Sequence, residues 1–220
     1  MAEYVEAIKK PFGDIKTLVI GTVIGIIPIV NFLLFGYGLM TMKKVLSGKK
    51  ELVEWRFGSL VEMIVLLVKG FVVSIVYGIP SAIVLVLGLG SIFSSFVSAA
   101  QQGGDLNLVI MQALFSGAIY LILWFILLLL AAFLLPMALA NWLKEDSLMA
   151  AFSFGTVFKK AFRLNYIIAF IVVILYSIVW CAIMFLTAVI PFLIFIVLGL
   201  VSYLLTVTTN TVYAEVFKEK

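Results

Sequence analysis

The chain has 220 residues, of which 65% are hydrophobic and 12% charged, with a mean hydropathy of +1.29. A soluble domain is about 45–50% apolar and about a quarter charged, so no soluble domain fits any long stretch of this composition. The chain has no histidine, one cysteine (Cys181) and a formal net charge of +4. An intrachain disulfide framework is therefore excluded, and the commonest metal ligand and general base is missing.

The opening stretch, Met1–Asp14, mixes acidic and basic residues and has no signal-peptide apolar core. It reads as a short amphipathic segment ended by Pro11, with Glu6 and Lys10 spaced for an i,i+4 pair.

The first apolar run goes from Ile15 to about Met42. A continuous helix from Gly13 to Leu46 would measure roughly 50 Å, too long for one crossing of about 30 Å of hydrocarbon. Pro28 sits in its centre, with Asn31 close by, and proline disrupts a helix interior. Two arrangements are open: one long tilted helix, or two half-helices folded as a hairpin.

Basic residues discriminate between them, because lysine and arginine concentrate in cytoplasmic loops. They cluster at Lys43, Lys44, Lys49, Lys50 and Arg56, at Lys144, Lys159, Lys160 and Arg163, and at Lys218 and Lys220. The Gln101–Asn107 loop and the turn at Pro191 contain none. With the hairpin, Lys9, Lys10 and Lys16 share the side of the other basic segments, and both termini are expected to be cytoplasmic. The hairpin is the favoured arrangement for that reason.

The second apolar run, Ser59 to Val97, contains Gly78 and Pro80; Trp55 to about Leu67 is expected along the interface and Val68 to about Phe93 across the bilayer. The third, Leu108 to about Trp142, is over-long for an upright span, and tilt or a kink at Pro136 is expected. The last, Leu164 to Tyr213, has room for two spans joined at Thr187–Phe192, with Pro191 opening the second. The expected fold is all-α: a polytopic transmembrane bundle with five spans, or six if the first run is a hairpin, plus interfacial amphipathic helices.

The whole chain reads as one integral membrane domain, 1–220. Trp55-Arg56-Phe57-Gly58-Ser59-Leu60 and Phe152-Ser153-Phe154-Gly155-Thr156-Val157 share the pattern aromatic-x-Phe-Gly-hydroxyl-aliphatic. They suggest a parallel repeat, 15–98 and 108–213. The plain reading of the same pattern is that aromatic and small residues favour interfaces.

Pro28-Ile29-Val30-Asn31-Phe32-Leu33-Leu34-Phe35-Gly36-Tyr37, Glu51-Leu52-Val53-Glu54-Trp55 and Glu145 to Phe154 resemble blocks of an uncharacterised multi-pass membrane family of archaea and bacteria. That family carries a Pro-Ile-Val-Asn…Gly-Tyr block and a Leu-Pro-Glu-Trp block. Val53 stands where the family often has proline, which implies a softer turn before Trp55. The resemblance covers nearly the whole chain and implies no chemistry. The missing histidine and a Lys/Glu-biased surface also suit a thermophilic archaeal source.

No span core contains Asp, Glu, Lys or Arg, and intramembrane charge is the usual sign of coupled transport or catalysis. Hydroxyl nucleophiles are present without an activating base nearby. No catalytic, cofactor or metal site is read, and nucleic-acid binding has no support.

Four features remain. Pro28 and Asn31 mark a helix break, where Asn31 either faces a ligand or, on the favoured reading, satisfies carbonyls freed by Pro28. Gly21 and Gly25 form a G-x-x-x-G that suits close helix packing within the chain. Gln112, Ser116 and Tyr120 make one polar stripe, and Ser202, Thr206, Thr209 and Tyr213 another. These stripes either line a polar path or, on the favoured reading, hydrogen-bond between helices.

Lys43, Lys44, Lys49, Lys50, Lys159, Lys160 and Arg163 are candidate ligands for anionic lipid headgroups, on the ground that juxtamembrane basic residues attract them. The plain alternative is that they only set topology. Phe154, Phe158 and Phe162, four residues apart, give the Ser153–Leu164 segment an apolar face, as in an interfacial helix. The expected function is a non-enzymatic protein organising lipid or a membrane complex, located in the cell membrane. The alternative is a transporter or channel for a small neutral solute. The expected partners are membrane lipids; the oligomeric state is not readable.

Overall fold

The computed structural model describes residues 4–101 and 105–219. Eight α-helices, and no strand, occur among these residues. They are α1 (Tyr4–Lys9), α2 (Ile15–Ile26), α3 (Phe32–Leu46), α4 (Phe57–Gln101), α5 (Leu106–Glu145), α6 (Phe154–Ala161), α7 (Leu164–Thr187) and α8 (Pro191–Lys218). Among the described residues, four helices are long and apolar enough to cross a membrane: α4, α5, α7 and α8. The turn residues Gln102, Gly103 and Gly104 of the basic-free loop lie outside the described residues, as do Glu3 and Lys220.

The first apolar run is two helices. Pro28 has no N–H to offer the carbonyl of Ile24, which instead accepts a hydrogen bond from the Ile27 amide at 3.3 Å. The helix stops at Ile26 and restarts at Phe32. With 12 and 15 residues, α2 and α3 rise about 18 and 22 Å, short of the roughly 30 Å of a hydrocarbon core. Among the described residues four helices are therefore long enough to span, α2 is a shorter apolar helix, and α2 and α3 together form the expected hairpin.

The chain divides into two compact parts, residues 1–73 with 136–220, and residues 74–135. In the first, α2, α3 and α7 all pack on α8. Gly25 meets Gly199 and Gly21 meets Tyr203, so α2 runs antiparallel to α8. Leu34 lines a groove with Ser202, while Gly38 lies against Thr206 and Asn210, so α3 runs parallel to it. The two half-helices thus enter beside the C-terminal end of α8 and turn back near its middle. The Gly21–Gly25 pair packs within the chain, as expected.

The core of this part is Leu34, Tyr37, Val53, Met63, Tyr203, Leu204 and Val207. Tyr37 anchors it: its hydroxyl donates to the Val53 carbonyl at 3.1 Å, and its ring stacks on Trp55 at 4.6 Å. The turn before Trp55, expected to be soft because Val53 replaces a proline, is pinned by this tyrosine. The α3 terminus is closed by Gly48 at φ 80°, with Gly48 N–H bonded to Val45 O and Lys49 N–H to Lys44 O. Those are the two bonds of a Schellman cap, for which a positive-φ residue is needed.

Within residues 74–135, the end of α4 and the start of α5 pair antiparallel. Ser91 Oγ donates to the Ser116 carbonyl at 3.1 Å and Ser116 Oγ to the Ser91 carbonyl at 3.3 Å. One level away, Tyr120 packs on Gly88. The expected division of the second run near Val68 does not occur: α4 is one helix of 45 residues with Pro80 inside it. No helix breaker stands near Val68 other than Gly70, which a helix tolerates.

Candidate functional site

The basic segments, remote in sequence, assemble at one end of the first part, around the last turn of α8. Lys160 Nζ reaches the Phe217 carbonyl at 3.4 Å and lies 3.2 Å over the Phe217 ring. Arg163 Nη1 donates to the Glu219 carbonyl at 3.0 Å. Both cations therefore serve carbonyls at the end of α8 that have no helical partner, where positive charge is also favoured by the helix dipole. Lys43 joins α3 to Glu62 at 3.4 Å and to Asp146 at 4.0 Å. Lys44 donates to the Leu52 carbonyl at 2.9 Å, and Lys50 pairs with Glu6 at 3.2 Å.

Of the seven candidate headgroup ligands, five thus make contacts within the protein. Lys49 and Lys159 stand exposed at the surface. The α6 helix, which carries Lys159, buries Val157 and Ala161 against the protein and leaves Phe154 and Phe158 exposed, as is Phe162 just after it. The Phe158 and Phe162 rings stack at 5.8 Å. An exposed aromatic row next to lysines is the arrangement of a helix seated at a bilayer surface.

Charge in this end is tuned by crowding. Burial pushes the Lys10 ammonium down to about 8; Glu215 opposes this, and Lys218, Lys44 and Lys50 add to it. Burial also lowers Lys160, reinforced by Arg163. Asp14 caps α2, accepting from the Thr17 hydroxyl and the Lys16 amide, and these bonds hold its carboxyl below the usual range.

Two cavities follow from the hairpin. A cup of about 540 Å³ lies between α1, the segment 50–54 and α8; Lys10, Glu54, Thr211 and Glu215 are among its walls. A groove of about 440 Å³ lies at the hairpin tip, where Asn31, Ser202, Thr206 and Asn210 come together beside Pro28. The Asn31 side chain makes no capping bond to α3, and Asn210 Nδ2 donates to the Thr206 carbonyl at 2.8 Å.

The structure thus brings the helix-break residues Pro28 and Asn31 to part of one polar stripe, Ser202 and Thr206. Thr209 is half-buried, and Tyr213 is buried against Tyr166 at 5.7 Å. In the other stripe, Ser116 is engaged by Ser91, Tyr120 by Gly88, and Gln112 is exposed. Asn210, Thr211 and Glu215 are not singled out by the sequence, which marks Lys10 only as a partner for Glu6 and as a topology signal. Asn210 was findable, since it continues the Ser202–Thr206 spacing by four. The Lys10–Glu215 neighbourhood carries no local signal.

The family described as protein of unknown function (DUF4013) matches residues 19–189. No curated protein and no solved structure matches the chain.

Proposed function

The chain belongs to the DUF4013 family, of unknown function, and on that premise we propose that it is a non-enzymatic protein of the cell membrane that organises lipid from the cytoplasmic face. The observation that carries this reading is the gathering of basic residues from α3, α6 and the following turns at one end of α8, beside the exposed Phe154–Phe158–Phe162 row. Lysine stems pack on hydrocarbon while their ammonium groups reach phosphate. Each exposed basic residue contributes about 1 kcal/mol of attraction to an anionic surface, weakened by salt.

The residues to test are Lys49 and Lys159, which are exposed. Retention of phosphatidylglycerol over phosphatidylcholine is measured by native mass spectrometry for wild type and a Lys49→Gln, Lys159→Gln variant. The expected result is a weaker anionic preference at unchanged Tm. Equal retention at low salt overturns the reading. Arg163→Gln should behave oppositely, lowering Tm through the lost α8 cap while retention changes less.

The groove at the hairpin tip favours a second reading, a path for a small neutral solute. Broken helices that line polar cavities are a recurrent way to hold solutes within membranes. Solute flux into proteoliposomes that falls in a Thr206→Val, Asn31→Leu variant of unchanged Tm supports it; no flux in wild type removes it.

A further inference from the structure

The groove at the hairpin tip gathers four polar side chains, Asn31, Ser202, Thr206 and Asn210, and has no charged residue among its described walls. Its depth follows from residue spacing. Asn210 and Ser202 stand eight and sixteen residues before Lys218, about 12 and 24 Å from the basic end by helical rise. Asn31 stands twelve residues before Lys43, about 18 Å by the same measure. A bilayer whose surface meets Lys43 and Lys218 therefore holds the groove inside its hydrocarbon layer of about 30 Å. The surroundings suit that depth, since Phe32, one of the walls, is exposed, and so is Ile29 beside the tip.

Polar groups in hydrocarbon have no bulk water to bond, so they are normally satisfied within the protein. Here they are not. The Asn31, Ser202 and Thr206 side chains have no hydrogen-bond partner among the described residues. All three residues are half-buried, as is Asn210, and their polar atoms keep accessible surface. Asn210 Nδ2 donates to the Thr206 carbonyl at 2.8 Å. A carbonyl only accepts, so this contact fixes the amide orientation and leaves Asn210 Oδ1 as an open acceptor.

We propose that this groove binds a neutral lipid with a free hydroxyl and ester oxygens, of the diacylglycerol type, which enters from the surrounding hydrocarbon. Three observations select this chemistry. The lining is uncharged, and an ion at this depth would go unpaired, which disfavours phospholipid headgroups and charged solutes. The open groups are of both kinds: Asn210 Oδ1 accepts, while the Asn31 amide and the two hydroxyls can donate. A ligand hydroxyl supplies the donor that Asn210 lacks, and ester carbonyls accept from the others. The volume of about 440 Å³ lies in the range of small-ligand sites and exceeds what a single hydroxyl fills.

The proposal does not rest on the exposed lysines Lys49 and Lys159. It gives the groove a resident lipid in place of a passing solute, and the experiment separates the two.

The test uses the full chain in phosphatidylcholine nanodiscs. Dioleoylglycerol or its methyl ether is added at the same low mole fraction, and lipid retained on the released protein is counted by native mass spectrometry. The ether keeps both ester carbonyls and lacks the hydroxyl donor. One dioleoylglycerol should be retained per chain, about tenfold more than the ether, as expected for one hydrogen bond to a group otherwise left unpaired. A Ser202→Ala, Thr206→Val variant removes two unpartnered hydroxyls with little change of shape. It should keep its Tm and lose retention several-fold. A Lys49→Gln, Lys159→Gln variant should retain dioleoylglycerol as wild type does.

No retention of dioleoylglycerol, equal retention of the ether, or wild-type retention by the Ser202→Ala, Thr206→Val variant overturns the proposal. Should that variant lose Tm, Ser202→Ala alone is held to the same comparison. Glycerol flux into proteoliposomes without dioleoylglycerol retention overturns the resident lipid and leaves the solute path standing. Absent dioleoylglycerol retention with phosphatidylglycerol preference intact overturns the groove site and leaves the lipid-organising function standing.

Discussion

Gly25 and Gly199 meet backbone to backbone where α2 crosses α8: a β-carbon on Gly25 would lie 2.6 Å from the Gly199 carbonyl oxygen. One on Gly199 would collide with the Thr22 carbonyl. Neither obstacle is a side chain that can swing away, so the hairpin sits as close to α8 as two helices can.

Gly199→Ala should therefore force α2 from its seat. Overpacking of this kind costs about 1–3 kcal/mol. Thermal unfolding in detergent should show a lower Tm. Gly90→Ala is the control, because nothing lies within 4 Å of its β-carbon position and alanine is the better helix former. An unchanged Tm for Gly199→Ala would show that α2 does not dock as described.

The hairpin also makes a labelling prediction. In a Cys181→Ser background, single cysteines at Lys9, Ser47 and Glu219 should share one protected face when an impermeant maleimide is added outside oriented cells. A cysteine at Asp105, in the basic-free turn, should label. Glu3 and Gly103 are alternative positions outside the described residues. Labelling of Lys9→Cys together with Asp105→Cys would replace the hairpin with a single crossing.

Tyr37→Phe keeps the ring stacked on Trp55 and removes the donor to Val53 O. With Val53 buried, its carbonyl is left without that partner, and a loss of about 1 kcal/mol is expected. A Tyr37→Phe, Trp55→Leu pair should be non-additive, since both residues hold the same loop. Strict additivity in thermal unfolding would separate the two contacts.

The lysine in the cup gives a pH signature. The folded state lowers Lys10 to about 8, so above that pH the unfolded chain binds more protons than the folded one. Its contribution should then rise as pH climbs from about 8 toward the ordinary lysine value near 10.5. Lys10→Met should have the higher Tm below pH 8, and the gap should close toward pH 10. A gap that stays constant across this window would mean that Lys10 is not desolvated. Asp14 acts with the opposite sign: its lowered carboxyl stabilises the fold above the usual carboxylate range, and that contribution is lost as pH falls through its lowered value.

Much of this arrangement was visible in local chemistry. Pro28 cannot donate to Ile24, and lysines flank both ends of the run, so the break and the return were both legible. The start of α8 at Pro191 was legible because proline suits a first helical turn. The uninterrupted α4 was not, since nothing local distinguishes one long helix from two joined at Val68. The site was legible only in parts. Lysine clusters announced a charged end, but their use as carbonyl caps of α8 depends on where Phe217 and Glu219 fall in space. The cup was hidden because Lys10 and Glu215 stand 205 positions apart, and a hydroxyl such as Thr211 shows its missing partner only after folding.

The turn at Pro28 has a consequence for how the chain is made. Between Lys16 and Lys43 there is no charged residue, and both ends of the hairpin lie at the same end of α8. The delivering machinery can therefore push this segment into lipid as a loop, with every lysine before and after it left behind. Between Lys69 and Lys144 the one charged residue is Asp105, and between Arg163 and Glu215 there is none. On the proposed topology, with the basic segments cytoplasmic, the one charged side chain in these stretches that biogenesis hauls across the bilayer is the Asp105 carboxylate.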